Sequence, residues 1–304
     1  MESTAVLRRF NRTYTQRIGA LDESFLGLGM PLASARLLFE IGGAQPVTVQ
    51  DLRARLGLDS GYLSRLLRGL ESRRLVELSP DPADRRRRVA ALTESGARLL
   101  TDLDDRSDAL ATRLLEPLSE RQRARLAEAL ATADLLVRAA TLEFEVVDPA
   151  SPNARLAMGH YFAELDRRFE GGFDPGPLTE ADLATMRPPG GTFVLARSDG
   201  EVVACGGVQS LGEGVGEVKR MWVHDGWRGA GLGARMLRRL EDDAAALGHT
   251  VVRLDTNATL TDAIALYERS GYASVARYND NPYAQRWFEK PLSAPAASTR
   301  RPRG

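Results

Sequence analysis

Val218-Lys219-Arg220-Met221-Trp222-Val223-His224-Asp225-Gly226-Trp227-Arg228-Gly229-Ala230-Gly231-Leu232-Gly233 reads as an apolar-rich strand running into an Arg-x-x-Gly-x-Gly loop, with a helix directly behind it. That helix carries Leu232, Met236, Leu237, Leu240, Ala244 and Leu247 on one face, the spacing of an amphipathic helix. Glycines let the main chain approach a ligand closely. Backbone N–H groups converging at a helix N-terminus form a seat for a pyrophosphate, and Arg228 adds a cation beside it. The spacing is not Gly-x-Gly-x-x-Gly, so a dinucleotide fingerprint is excluded. No Gly-Lys-Ser/Thr follows, so a Walker loop is excluded as well.

Outward from this loop, the pattern predicts strands at 144–147, 192–197, 201–210, 216–223, 250–255, 272–278 and 284–290. Helices are predicted at about 153–170, 232–247 and 261–270. Asp199-Gly200 is a hairpin turn, and Gly248 and Gly271 end the two later helices. Antiparallel strands first and β-α-β later make a mixed α/β domain.

Arg228-Gly229-Ala230-Gly231-Leu232-Gly233 resembles the Arg/Gln-x-x-Gly-x-Gly/Ala signature of the GNAT superfamily of acetyl-CoA-dependent N-acetyltransferases. Asn257, followed by Ala263-Ile264-Ala265-Leu266-Tyr267-Glu268-Arg269-Ser270-Gly271-Tyr272, resembles its second signature. The likeness spans about 143–292. It implies that the main chain of Met221 and Val223 pairs with the pantetheine arm of coenzyme A. It implies that Arg228, Gly229, Ala230, Gly231, Leu232, Gly233 and Ala234 hold the pyrophosphate, and that Asn257 contacts cofactor or substrate. Tyr267 would lie near the cofactor sulfur and protonate the departing thiolate. A protonated amine cannot attack a thioester, so a base is needed; Glu217, at the start of the strand, is the expected carboxylate, acting directly or through water. Glu164 and Tyr161, in the stretch 160–169, lie on the helix expected to cover the acceptor, with Glu164 binding the cationic amine. The acceptor itself, a small molecule or a protein lysine, stays open. No metal site is expected.

The first half has a different grammar. After Pro31, residues 32–41 form an apolar helical stretch. Thr48-Val49-Gln50-Asp51 opens a second helix like a capping box, with Leu52 and Leu56 on its inner face and Gly57 at its end. Asp59 or Ser60 caps a third helix carrying Leu63, Leu66, Leu67 and Leu70. Two short helices joined by a glycine turn form a helix-turn-helix. Ser60, Tyr62, Ser64, Arg65 and Arg68 are the candidate DNA contacts of its second member. Strands at 75–78 and 89–92 then flank a Pro/Asp turn and four consecutive arginines, 85–88, a cationic tip suited to phosphates or a narrow minor groove.

Asp84-x-Arg86 followed by Leu92-Thr93-x-x-Gly96 resembles the wing of the MarR family of winged-helix regulators, over roughly 5–140. The resemblance implies that Asp84 braces the wing and that Arg86 reaches the minor groove of double-stranded DNA. It also implies a homodimer made by the first helix and the helices after the wing. Leu99, Leu100, Leu103, Leu110, Leu114, Leu115, Leu126, Leu130 and Leu135 give those helices more apolar surface than one small domain needs. Arg74 departs from the family, which usually has glycine there. An arginine at that position must go left-handed at some cost or end the helix differently.

The expected architecture is therefore multi-domain: a mainly-α winged helix-turn-helix at 1–140, an α/β mixed-sheet acyltransferase at 141–292, and a disordered tail at 293–304. The 304 residues carry a formal net charge of +0. The balance hides ten arginines against five acids between Arg53 and Arg88. Only Lys219 and Lys290 are lysines among the 41 basic residues, so arginine richness alone carries little weight. No run of 18 apolar residues suggests a membrane span, no leader is expected, and Cys205, the one cysteine, reads as a core residue. These features suit the cytoplasm. The leading reading is a DNA-binding regulator joined to an active acetyltransferase. In an alternative, the second domain only senses acetyl-CoA or a small ligand; in a third, the winged helix serves only as a dimerisation scaffold.

Overall fold

The computed structural model describes residues 2–292; the tail expected at 293–304 lies outside the described residues. The chain divides into two compact units, Met1–Glu128 and Ala129–Gly304.

In the first unit the elements run α1 (Ser3–Arg17), α2 (Leu32–Gly43), β1 (Val47–Thr48), α3 (Val49–Leu56), α4 (Ser60–Ser72), β2 (Val76–Pro80), β3 (Arg88–Leu92), α5 (Glu94–Leu115) and the start of α6 (Glu120–Ala140). Thr48 caps α3 by accepting from the Asp51 N–H at 3.0 Å and donates its hydroxyl to the Asp51 carboxylate at 2.7 Å. Asp59, rather than Ser60, caps α4 by accepting from the Tyr62 N–H at 2.8 Å. Leu63, Leu67 and Leu70 point inward and meet Leu37, Leu38 and Ile41 of α2 and Leu52 of α3. The strands form a small antiparallel sheet of order β1-β3-β2.

The position flagged at Arg74 is left-handed, with φ +57°. This conformation costs a non-glycine residue about 1–2 kcal/mol. It is held because the Arg74 carbonyl accepts the Thr93 hydroxyl at 2.6 Å, tying the end of α4 to the N-cap of α5.

The second unit is a seven-stranded sheet of order β4-β5-β6-β7-β8-β10-β9. Its strands are β4 (Glu143–Val146), β5 (Thr192–Ser198), β6 (Glu201–Gly212), β7 (Val215–Val223), β8 (Val251–Thr256), β9 (Ala273–Ser274) and β10 (Arg286–Pro291). Every pairing is antiparallel except β7–β8. One face is covered by α7 (Pro152–Arg168) and α8 (Glu180–Ala184), whose Ala154, Met158 and Leu183 pack on Phe193, Leu195, Cys205 and Trp222. The other face meets α9 (Leu232–Ala246) and α10 (Thr261–Arg269) through Met236, Leu237, Leu240 and Tyr267.

The strand predicted at 272–278 shrinks to Ala273–Ser274. Beyond it the chain turns inward, and Tyr278, Asn279 and Asn281 satisfy buried carboxylates of β7 and β8 instead of a ladder. The short α8 was not anticipated, although Thr179 and Asp182 form a reciprocal capping box.

Gly96, in the first turn of α5, fixes the packing of the wing. A Cβ there would stand 1.9 Å from the Leu75 carbonyl oxygen. G96A should therefore lower the unfolding free energy of the N-terminal unit by about 1–3 kcal/mol. Urea denaturation followed by circular dichroism checks this, and an unchanged midpoint would contradict it.

Candidate active site

The site begins with a fault in the sheet. Cys205 pairs with Trp222, but Gly207 pairs with Lys219, so β7 holds one residue more than β6 over that interval. The extra residue is a β-bulge at Arg220, whose φ is +55°. Bulges bend a strand and re-aim its side chains. Val218 packs on the α9 side, and Met221, three residues on, packs there too. Arg220 and Lys219 are both directed elsewhere.

The bend parts β7 from β8. Their pairing covers only Val215–Glu217 against Val251–Arg253. The His224 N–H donates to the Val203 carbonyl of β6 at 2.9 Å. By the alternation of a strand, the N–H groups of Val223 and Met221 face the opposite, unpaired edge.

At the end of that edge the chain reaches α9. Gly231 is its N-cap at φ +74°, with no side chain closing the first turn. The first-turn donors of a helix have no intrahelical partner and carry a partial positive charge. A Cβ at Gly231 would find no neighbour within 4 Å, so the approach is open. Arg228 stands beside it, held at 2.6 Å by both Glu164 and Asp225. Main-chain donors, a helix N-terminus and a nearby guanidinium fit a pyrophosphate, and the unpaired edge fits an extended amide-bearing arm.

These features open on one cavity of about 1270 Å³. Met221, Val223, Arg228, Gly229, Gly231, Leu232, Gly233, Ala234, Asn257 and Tyr267 line it, as do Tyr161 and Glu164. Ala230 does not; it packs against the core. Tyr267 is buried against Tyr272 and Phe288. Burial and the nearby Asp255 carboxylate push its phenol up to about 12. Asn257 donates to the Tyr283 carbonyl at 2.9 Å and accepts from Thr259, so its amide braces two loops at the mouth of the cavity. Glu164 is committed to Arg228 and Arg168.

Glu217 is placed differently from the expectation. It is 2% exposed and does not border the cavity. Gln209, Tyr278, Asn279 and Lys219 all meet its two oxygens at 2.7–3.2 Å. The carboxylate of this cluster that does line the cavity is Asp255, which shares Lys219 with Glu217 at 3.2 Å and binds Asn279 and Asn281. Spacing along the chain had no means of showing this, because Tyr278 and Asn279 arrive from 61 and 62 residues away. Cys205 is sealed in the core, and burial pushes its thiol up to about 12.

In the first unit, Ser60, Ser64, Arg65 and Arg68 are exposed on α4 and Tyr62 is half-buried, with the Arg65 guanidinium 5.7 Å from its ring centre. Asp84 accepts from the Arg86 N–H at 3.0 Å and pairs with Arg87, which closes the wing turn and leaves the Arg86 side chain exposed.

The model of the acetyltransferase (GNAT) family matches residues 160–272, and that of the MarR family matches residues 28–87. An IAA acetyltransferase of Azospirillum brasilense is 39% identical over 134 residues, 42% of this chain and 86% of that protein. The N-alpha-acetyltransferase RimI of Mycobacterium tuberculosis is 34% identical over 117 residues, 37% of this chain and 71% of that one. The HTH-type transcriptional repressor NicR of Pseudomonas putida is 42% identical over 55 residues, 18% of this chain and 35% of that repressor. The chain belongs to the GNAT acetyltransferase family and carries, ahead of that domain, a winged helix-turn-helix of the MarR family. It is an acyltransferase. Among the described residues, no helix is long and apolar enough to cross a membrane.

Among the described residues, Lys219 is the one cation touching both buried carboxylates. K219M leaves Glu217 and Asp255 facing each other without it. Breaking a buried pair costs about 3–5 kcal/mol. Because Lys219 is 26% exposed, a loss of about 2–3 kcal/mol is expected in the second unit. Chemical denaturation reported by tryptophan fluorescence measures it, and an equal or higher stability would refute the coupling.

Proposed function

We propose that this protein is a DNA-binding regulator whose second domain acetylates a primary amine, using acetyl-CoA, by direct attack within a ternary complex. The observation that carries the reading is that the unpaired β7 edge, the uncapped start of α9 and the Tyr267 ring border a single cavity. When bound, acetyl-CoA supplies an acyl group activated as a thioester. The N–H groups of Met221 and Val223 hold its arm, and the loop from Arg228 to Ala234, through its main chain, holds its phosphates. Cys205, the chain's single cysteine, is sealed and its thiol stays protonated, which favours direct transfer over an acyl-cysteine.

Asp255 takes the proton from the acceptor's ammonium, because it is the cluster carboxylate that reaches the cavity. Glu217 stands behind it as a positioning residue through Lys219 and Asn279. As the C–N bond forms and the C–S bond breaks, the Tyr267 phenol gives its proton to the departing sulfur, and the second proton of the attacking nitrogen restores the phenol.

A phenol with pKa about 12 is protonated throughout the working range. The activity that depends on it is fully present below that value and is lost only as pH rises through it. Y267F should lower kcat at least about tenfold while leaving the KM for acetyl-CoA unchanged. D255N should lower kcat/KM for the acceptor by about 10²-fold. Steady-state kinetics with the most active acceptor decides; full activity of D255N would remove Asp255 as the base.

In the first unit, α4 enters the major groove with Ser60, Tyr62, Ser64, Arg65 and Arg68, and the wing brings Arg86 to the minor groove. The protein acts as a homodimer. The support is α1, which buries none of its residues and exposes Val6, Leu7, Phe10 and Tyr14, a stripe suited to a second copy. Each released phosphate contact reduces the slope of log affinity against log salt by about 0.9. R86A should therefore flatten that slope by about one unit per protomer, measured by fluorescence anisotropy on a promoter fragment. An unaltered slope and affinity would take the wing out of the interface.

A further inference from the structure

The residue at the bulge is unusual on chemical grounds. A left-handed φ favours glycine, and holding arginine there is unfavourable. Arg220 is at φ +55°, so the fold bears a local strain to present this side chain. Strain of this kind concentrates at sites where a side chain must be aimed.

The aim is definite. The Arg220 guanidinium donates to the Met158 sulfur at 3.3 Å and lies 5.9 Å from the Phe162 ring centre, both on α7. It borders the cavity. Among the described residues, it forms no ion pair with any carboxylate within 4 Å. Asp182 is the acid whose charge acts on it, and one oxygen of that carboxylate takes the Thr179 N–H at 3.0 Å and the Thr179 hydroxyl at 2.6 Å. Two further acids of the cavity are engaged elsewhere: Glu164 with two arginines, Asp255 with Lys219 and two asparagines. Arg220 is thus a half-buried cation whose planar donor fork has a weak sulfur partner and no anion. Desolvation lowers its pKa without removing its charge.

Its surroundings are apolar. Phe162 stacks on Phe173 at 5.9 Å, and Phe173 meets Tyr283 at 4.7 Å. All three rings line the same cavity.

We infer that Arg220 is a specificity residue for the acceptor, and that the acceptor is a small amine bearing a carboxylate next to an aromatic or large apolar group, as in an apolar amino acid. The inference rests on the acetyltransferase reading above. A guanidinium binds a carboxylate through two parallel hydrogen bonds, which would complete the donor set left open here, while the aromatic wall takes the side chain. The cofactor phosphates are served beyond the end of β7, at the Gly231 turn and Arg228, so Arg220, within the strand, is left for the acceptor.

The test compares N-acetylphenylalanine with N-acetylphenylalaninamide by calorimetry, a binding measurement that needs no turnover. The same pairing is then repeated in kinetics with phenylalanine, its amide and phenethylamine. Wild-type protein should prefer the carboxylate member about 10- to 100-fold. R220G suits the left-handed backbone and keeps the fold, yet should reduce that preference to less than threefold with coenzyme A affinity unchanged. R220K should fall between the two. Equal binding of the pair to wild type, no binding of either, or a preference that survives in R220G would overturn the inference. Loss of coenzyme A affinity in R220G with the preference intact would assign Arg220 to the cofactor and overturn it as well. Coenzyme A binding without carboxylate preference would strike this inference alone, whereas no coenzyme A binding at all would strike the reading beneath it.

Discussion

The second unit depends on the parting of β7 and β8. Two parallel strands bonded along their whole length would leave no edge and no cavity. One extra residue in β7, at Arg220, ends the ladder after Glu217 and Arg253. The free edge, the outward N–H groups of Met221 and Val223, and the room beneath α7 all follow from that local fault. The apolar packing of Val218 and Met221 on one face and Trp222 on the other holds the bulge in register.

The buried charge cluster is the second constraint. Glu217, Lys219 and Asp255 occupy the crotch where the strands diverge, and the chain after β9 folds in to satisfy them. A carboxylate held by four partners is well suited to orientation and poorly suited to meeting a substrate. Asp255 has the complementary placement. In the proposed mechanism, positioning falls to the strand that carries the fault and proton transfer to its neighbour.

Much of this was legible in the sequence, for identifiable reasons. The 228–234 loop and the 257–272 stretch are local motifs whose residue types are dictated by backbone approach and helix packing, so they read directly. Thr48 and Asp59 announced helix starts that the chain observes. Arg74 signalled its own strain. The bulge did not read, because an apolar period across 218–223 slips by one residue only when a partner strand defines the register. The burial of Glu217 did not read either, since its partners come from β6 and from the segment after β9. The α8 helix was hidden by the glycines and prolines of 171–177, although its Thr179/Asp182 box was in view.

Hydrogen exchange at single amides reaches the central claim most directly. If the edge of β7 receives the arm of coenzyme A, the amides of Met221 and Val223 should exchange at least about tenfold more slowly when coenzyme A is added, while His224, already bonded to Val203, changes little. Equal rates at Met221 and Val223 with and without saturating coenzyme A would contradict the account.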